Sequence, residues 1–418
     1  MMTQAFYSGI SGLKNYSAGI DVLSDNLANV STTGFRGSNA EFSSLFETSK
    51  LTGTSSKNDS IGTGVKLQAT SMMTQQGSLA LSDRSTDMAI LGNGWFGAQG
   101  TGSPIYTRDG NFSIDANADL VTADGLYVLG TKGGNISADN VLTSVLSEVP
   151  LGDVNAQEKL RFPETLTYPP QATTQAKFLA NLGVGNDPIK VGAAVIDSQN
   201  NKNNLQLEFI KDATQTPPGS QYNVTATVSS LDGSTVYDTK TGRVEFDATG
   251  ALTLSTLGTI DNNGSPVKMD LGNGYDGIVS IDVPVVSGSS LADGTIGGDL
   301  TGYSINKNAE VIATFSNGRQ SSVGKIAVYH FQNDQGLNRL SGTKFQESSN
   351  SGKPLFYTDA NGKNIIGSEI ANYKLEGSNV QMSSGLTELI ILQRAYDANS
   401  KSVTTADEMI QKALNMHQ

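Results

Sequence analysis

The sequence predicts a mainly β chain with an α-helix at each end, the two helices forming a coiled-coil layer and nested β-rich domains lying between them. Three observations carry that expectation. Charged residues are only 16% of the 418 residues, against about 25% in ordinary domains, and the polarity comes from Gly, Ser, Thr and Asn, which favour turns and short strands. Both ends carry apolar stripes of coiled-coil spacing. A hairpin-like pattern recurs in the middle.

At the N-terminus Phe6, Leu13, Ile20 and Leu27 are spaced by seven, with Gly9, Tyr16, Leu23 and Val30 as a parallel row. At the C-terminus Leu389, Leu392, Tyr396, Asn399, Val403, Ala406, Ile410 and Ala413 step alternately by three and four, the signature of a coiled-coil seam. Asn399 is its polar member, where a buried amide can fix register. The simplest arrangement packs the two stripes together and leaves the middle as an insertion.

Between them, Phe112-Ser-Ile-Asp115-Ala-Asn-Ala118-Asp-Leu120, Val244-Glu-Phe-Asp247-Ala-Thr-Gly250-Ala-Leu252 and Tyr303-Ser-Ile-Asn306-Lys-Asn-Ala309-Glu-Val311 share one design. Apolar residues on one strand face lead into an Asp or Asn that bonds the turn backbone, then a small residue and an apolar return. The spacing is aperiodic, so these are hairpins and not a solenoid. Composition sets the boundaries. Residues 1–30 and 386–418 are helical, 31–78 and 367–385 are extended connectors, 79–165 and 298–366 form a middle β-domain, and 166–297 is an inserted outer β-domain.

Chemistry is sparse. The net charge of −12 opposes nucleic-acid binding, which needs a basic face, and adhesion to anionic lipid. Cysteine is absent and histidine is limited to His330 and His417, which removes disulfides, thiol catalysis and a three-histidine metal site. No apolar run reaches the roughly 18 residues of a membrane span, and no cleavable secretion signal is recognisable. Gly92-Asn-Gly94-Trp-Phe-Gly97 and Gly272-Asn-Gly274-Tyr-Asp-Gly277 have dinucleotide-loop spacing, but neither opens a helical pattern, so both are expected to be glycine turns. Asp115-Ala-Asn117-Ala-Asp119 begins like a calcium loop, yet Leu120 and Leu126 occupy the positions that need Gly and Glu. His330, in a strand-like run, is expected to hold a backbone partner. No catalytic residue, cofactor or metal is expected.

The run Asn26-Leu-Ala-Asn29-Val-Ser-Thr-Thr-Gly34-Phe35-Arg36 resembles the signature after the first helix in bacterial flagellar rod and hook proteins. Gln76-Gly-Ser-Leu79, Asp87-Met-Ala-Ile90, Gly94-Trp-Phe96, Tyr106-Thr-Arg108-Asp-Gly110, Leu375-Glu-Gly-Ser-Asn379 and Gln393-Arg394-Ala-Tyr396-Asp-Ala-Asn399 continue the likeness in family order. Length and the inserted domain are similar to the hook branch rather than the short rod proteins. In departure from the family, Gln381 and Gly385 stand where acidic residues are common, and Ala118 and Ala309 replace a usual turn glycine.

The resemblance implies a non-enzymatic subunit exported through the flagellar apparatus without signal cleavage. It assembles with its own copies, outside the cell, into a curved tube that passes motor torque to the filament as a universal joint. Rod, hook-cap and hook–filament junction proteins and the export apparatus are the implied partners, with no nucleic acid and no membrane insertion. The expected assembly interface comprises Phe6, Leu13, Ile20, Asn26, Leu27, Asn29, Gly34 and Phe35 with Leu389, Leu392, Arg394, Tyr396, Asn399, Val403 and Ile410. In an unassembled chain, residues 1–70 and 370–418 are expected to be disordered, since an unpartnered stripe cannot offset its ordering entropy. A distal-rod or hook-like paralogue, and more distantly a secreted β-domain adhesin or glycan enzyme, are the alternative readings.

Overall fold

The computed structural model describes residues 2–47, 61–214 and 218–416; His417 lies outside them. Helix α1 (Met2–Ala28) and helix α2 (Met382–Asn415) stand at the two ends, and everything described between them is strand, turn or short 3-10 helix. The helices run antiparallel. Gly9 faces Val403, Gly12 faces Asn399, Gly19 faces Leu392, and Leu27 faces Gly385.

The α1 surface against α2 includes three glycines, Gly9, Gly12 and Gly19. A methyl added at Gly9 would lie 2.7 Å from Val403 Cγ2, and one at Gly12 would overlap the Asn399 amide. Close approach of the backbones therefore brings the larger α2 residues into contact with α1, with Leu23 and Leu392 buried in the same seam.

A second surface of α1 packs on a hairpin of strands β1 (Ser38–Glu47) and β2 (Ile61–Met72). Ser11 Oγ donates to the Val65 carbonyl at 2.5 Å, and Asn15 spans the strand edge, donating to Val65 O and accepting from Leu67 N, both at 2.7 Å. The Tyr16 and Phe42 rings meet at a tilt with centroids 5.6 Å apart. The described parts of the segment 31–78, expected as a connector, are thus paired with each other and with α1. Of the expected connector 367–385, Glu369–Asn372 pairs with Met88–Leu91 and Lys374–Glu376 with Leu79–Leu81, while residues 382–385 already belong to α2. This pairing, with that of Gly34 and Gly37, narrows the disorder expected of residues 1–70 and 370–418 in the unassembled chain to the helices.

The middle domain is one large, mostly antiparallel sheet system. Its main path runs through residues 167–168, 298–305, 310–315, 320–326, 127–132, 95–99, 105–107, 344–346 and 338–341. Strands from before and after residues 169–297 interleave here, so this domain closes only when both halves of the chain are present. Phe96 and Phe112 meet edge to face at 5.1 Å in its core.

The outer domain has its own core, from Ala176 to Ile278. A five-stranded antiparallel meander (residues 189–255) faces a mixed sheet built on Gln175–Asn181. In the meander Leu205, Leu207 and Phe209 pair with Val228, Ala226 and Val224, so alternate residues of both strands enter one core, as strand geometry requires.

The three recurrent hairpin segments all fold as read. Asp115 Oδ1 accepts from Asn117 N and Asp119 N at 2.9 and 2.8 Å, Asp247 Oδ1 from Thr249 N and Ala251 N at 2.8 and 3.0 Å, and Asn306 Oδ1 from Asn308 N and Glu310 N at 2.9 and 3.0 Å. Asp197 and Asp359 build the same turn. The small residue is left-handed in each: Ala118 at φ 63°, Gly250 at 84° and Ala309 at 60°. A side chain in that region costs about 1–2 kcal/mol, partly offset by the greater unfolded-state freedom of glycine. Ala118→Gly should therefore raise the unfolding free energy by about 0.5–1 kcal/mol, read as a shifted denaturation midpoint. Ala309 is fully buried, so the same change there also removes core packing and should gain less.

Candidate functional site: an assembly face and its buried junction

The helical layer presents the first candidate surface. Along α2 only Leu392 and Ala406 are buried. Leu389, Asn399, Val403 and Ile410 are half-buried, while Arg394 and Tyr396 are exposed. On α1, Phe6, Leu13, Ile20 and Leu27 are half-buried. Asn399 does not bond across the pair. Its Nδ2 donates to the Ala395 carbonyl of its own helix at 2.7 Å, and it sets register by shape, filling the space that Gly12 leaves. Gly12→Ala should accordingly weaken helix pairing and assembly, and adding Asn399→Ala should restore part of the loss; sedimentation of the two variants checks this.

A further set of apolar side chains on α2 faces away from this seam. Met382, Leu386, Ile390 and Ile391 are 54%, 47%, 56% and 60% exposed. Tyr7 and Ile10 of α1 are exposed as well. A helix that is apolar on more than one side needs more than one partner.

Below the helices, segments far apart in sequence converge on a buried ionic cluster. Glu376 Oε1 lies 2.9 Å from Arg36 Nη2 and Oε2 lies 3.2 Å from Arg108 Nη1, with all three side chains at most 4% exposed. Gly77 N donates to Glu376 Oε1 at 3.0 Å, and Arg108 also donates to the Ile90 carbonyl at 3.2 Å and to that of Gly92. Burial pushes the Arg108 guanidinium down to about 10 against the pull of Glu376, and lowers Arg36 in the same way; both remain cations at neutral pH. The Arg108 guanidinium lies 5.8 Å from the ring of Trp95, whose Nε1 donates to Asp334 Oδ1 at 3.2 Å.

The signature residues stand around this cluster. Asn26 closes a reciprocal pair with Ser38, donating to its carbonyl at 2.7 Å and accepting its N–H at 2.9 Å. Asn29 caps the helix end, donating to the Asp25 carbonyl at 2.9 Å. Gly34, at φ 67°, donates to the Glu376 carbonyl at 2.7 Å. It lies against the backbone of Arg108 and Asp109 where a side chain would not fit. Phe35 is 1% exposed under the Arg339 guanidinium, 5.1 Å from its ring. Asn26, Gly34 and Phe35 were expected on the face between copies. In the single chain they are buried, Asn26 bonding to Ser38, Gly34 N to Glu376 O, and Phe35 O accepting from Asn379 N at 3.3 Å.

The remaining chemical candidates resolve into structure. Gly92 and Gly94 turn between strands at φ 97° and 126°; Gly274, at 62°, turns between two short strands in which Gly272 and Gly277, at 80° and 152°, pair with each other. His330 Nε2 sits 2.7 Å from the Ile366 carbonyl, and burial lowers its pKa. A concavity of about 920 Å³ in the middle domain is lined by Lys132, Lys159 and Asp119 among others. Its lysines are already paired, Lys159 with Asp119 and Lys132 with Glu158. Among the described residues no cluster of three metal-ligating side chains occurs, and no helix is long and apolar enough to cross a membrane.

Three family models match this chain in order. "Flagella basal body rod protein" covers residues 6–36, "Flagellar hook protein FlgE/F/G D1 domain" residues 89–158, and "Flagellar basal body rod FlgEFG protein C-terminal" residues 371–416. Flagellar hook protein FlgE of Borreliella burgdorferi is 27% identical over 460 residues, spanning 99% of this chain and 100% of its own. That of Escherichia coli K12 is 25% identical with the same coverage, and that of Brucella suis biovar 1 is 28% identical over 98% of both chains. Along nearly its whole length the chain is similar to flagellar rod and hook proteins.

The fold has a solved counterpart. Flagellar hook protein FlgE2 of Helicobacter pylori superimposes with a TM-score of 0.53 at 18% identity, covering 71% of this chain and all of its own. Each of the three matched family segments supplies one member of the buried cluster: Arg36 from the first, Arg108 from the second and Glu376 from the third. The sequence resemblance included all three positions within its motifs but gave no sign that they meet.

Proposed function

We propose that this chain is the structural subunit of a bacterial flagellar hook, polymerising into a curved tube that carries motor torque to the filament as a universal joint. The observation that carries the reading is α2 itself, 34 residues long with two buried side chains and an uncovered apolar side. Copies of the chain are the cover that suits it, meeting through different faces so that the contact repeats as an open helix. Relatives named flagellar hook protein over nearly their whole length support the same reading.

In this reading residues 1–30 and 386–418 form the inner layer, 79–165 with 298–366 the middle layer, and 166–297 the outer one. The compliant link is the two-strand neck between middle and outer domains, where Gln171 and Thr295 exchange backbone hydrogen bonds at 2.8 and 2.9 Å. Low charge leaves outer surfaces with few ion pairs to lock neighbours together. The subunit has no enzymatic role, takes no cofactor, is exported without signal cleavage, and meets rod, hook-cap and hook–filament junction proteins at the ends of the tube.

In dilute solution most of α2 should exchange its amides rapidly and become protected on assembly; slow exchange in the monomer would count against the reading. Electron microscopy of concentrated protein tests it directly. Tubes from the full chain and none from a chain lacking residues 1–30 and 386–418 are expected. A specific ligand for the outer domain with no polymer would favour an adhesin instead.

A further inference from the structure

We propose that Glu376 makes docking of the N-terminal signature conditional on the C-terminal segment: residues 374–379 seat on the middle domain first, and only then exists the site that residues 34–37 occupy. Most hydrogen bonds of the C-terminal segment go to residues outside the signature, although Asn379 N donates back to Phe35 O at 3.3 Å. The C-terminal segment bonds mainly to residues 77–87, through the pairing of Lys374–Glu376 with Leu79–Leu81, Tyr373 N to Asp87 O at 2.9 Å, and Gly377 N to Ser78 O at 2.8 Å. The signature leans on that segment in turn. Gly34 N donates to Glu376 O at 2.7 Å, Gly37 N to Asn379 Oδ1 at 2.8 Å, and the Arg36 guanidinium meets Glu376 Oε1 at 2.9 Å.

Charge enforces the same order. With residues 374–379 in place, Arg108 and Glu376 form a neutral buried pair, and Arg36 then joins the free side of a carboxylate that is already oriented. Were the signature to dock without Glu376, Arg36 and Arg108 would be two like charges buried together, each opposing the other. Removing Arg36 therefore leaves a satisfied pair behind, whereas removing Glu376 strands two cations.

Hydrogen exchange on the full-length chain tests this, comparing wild type, Arg36→Met and Glu376→Gln. Wild type should be protected at both 34–37 and 374–377. Arg36→Met should speed exchange at Gly34 and Gly37 by about tenfold or more and leave 374–377 near wild type, while Glu376→Gln should open both. Pulse labelling during refolding of the wild type gives an answer free of variants: 374–377 should gain protection before 34–37. The proposal is overturned if Arg36→Met opens 374–377 as far as Glu376→Gln does, if Glu376→Gln leaves 34–37 protected, if wild type is unprotected at either segment, or if 34–37 protects first or simultaneously.

Discussion

A Leu392→Asp chain should form no tubes at concentrations where the wild type polymerises, while its two β-domains melt as before. Leu392 is 7% exposed and packs against the Gly19 position of α1, so the carboxylate would be buried in the seam without a partner. The effective penalty of several kcal/mol for such a charge exceeds what an isolated helix pair can supply. The β-domain cores, from Met88 to Ile370 and from Ala176 to Ile278, do not include it. Ile390→Asp separates the two apolar sides: at 56% exposure it should spare the pairing of α1 with α2 yet still weaken contact between copies. Leu13→Asp and Ile410→Asp, at half-buried positions, should also block assembly, with less damage to the pair itself. Sedimentation and electron microscopy report assembly, and circular dichroism reports the domains.

Glu376→Ala should destabilise the middle domain by about 3–5 kcal/mol, the usual result of removing one partner from a buried ion cluster. Arg36 and Arg108 would then share a site without a counter-charge, and the Gly77 amide would lose its acceptor. Trp95, the only tryptophan of the chain, lies 5.8 Å from the Arg108 guanidinium, so its fluorescence follows unfolding of this domain in denaturant. The triple change Arg36→Met, Arg108→Met and Glu376→Leu should recover much of the loss, because apolar groups of similar volume need no counter-charge. A Glu376→Ala chain as stable as wild type would show that the cluster contributes little.

The helical ends were legible because a seven-residue period survives whatever packs on it. What the period hid was the nature of the contact: Gly9, Gly12 and Gly19 carry no apolar signal, yet they let the two backbones approach. The hairpin of β1 and β2 was missed because most of its side chains are exposed or half-buried on both faces, so hydrophobicity does not alternate along it. The turns at Asp115, Asp247 and Asn306 were readable from their shared chemistry, and the same turns at Asp197 and Asp359 lacked the flanking pattern that drew attention to the others. Asn26, Gly34 and Phe35 were legible as parts of a motif. Their setting was not deducible, since the partner Glu376 is one acidic residue in a three-residue strand, lying 268 positions from Arg108.

Helical reconstruction of the assembled polymer tests the central claim most directly. Helices α1 and α2 should line the inner layer, with Met382, Leu386 and Ile390 buried against neighbouring copies and the 166–297 domain outermost. A polymer in which those side chains remain exposed, or in which the outer domains alone hold the copies together, would contradict it.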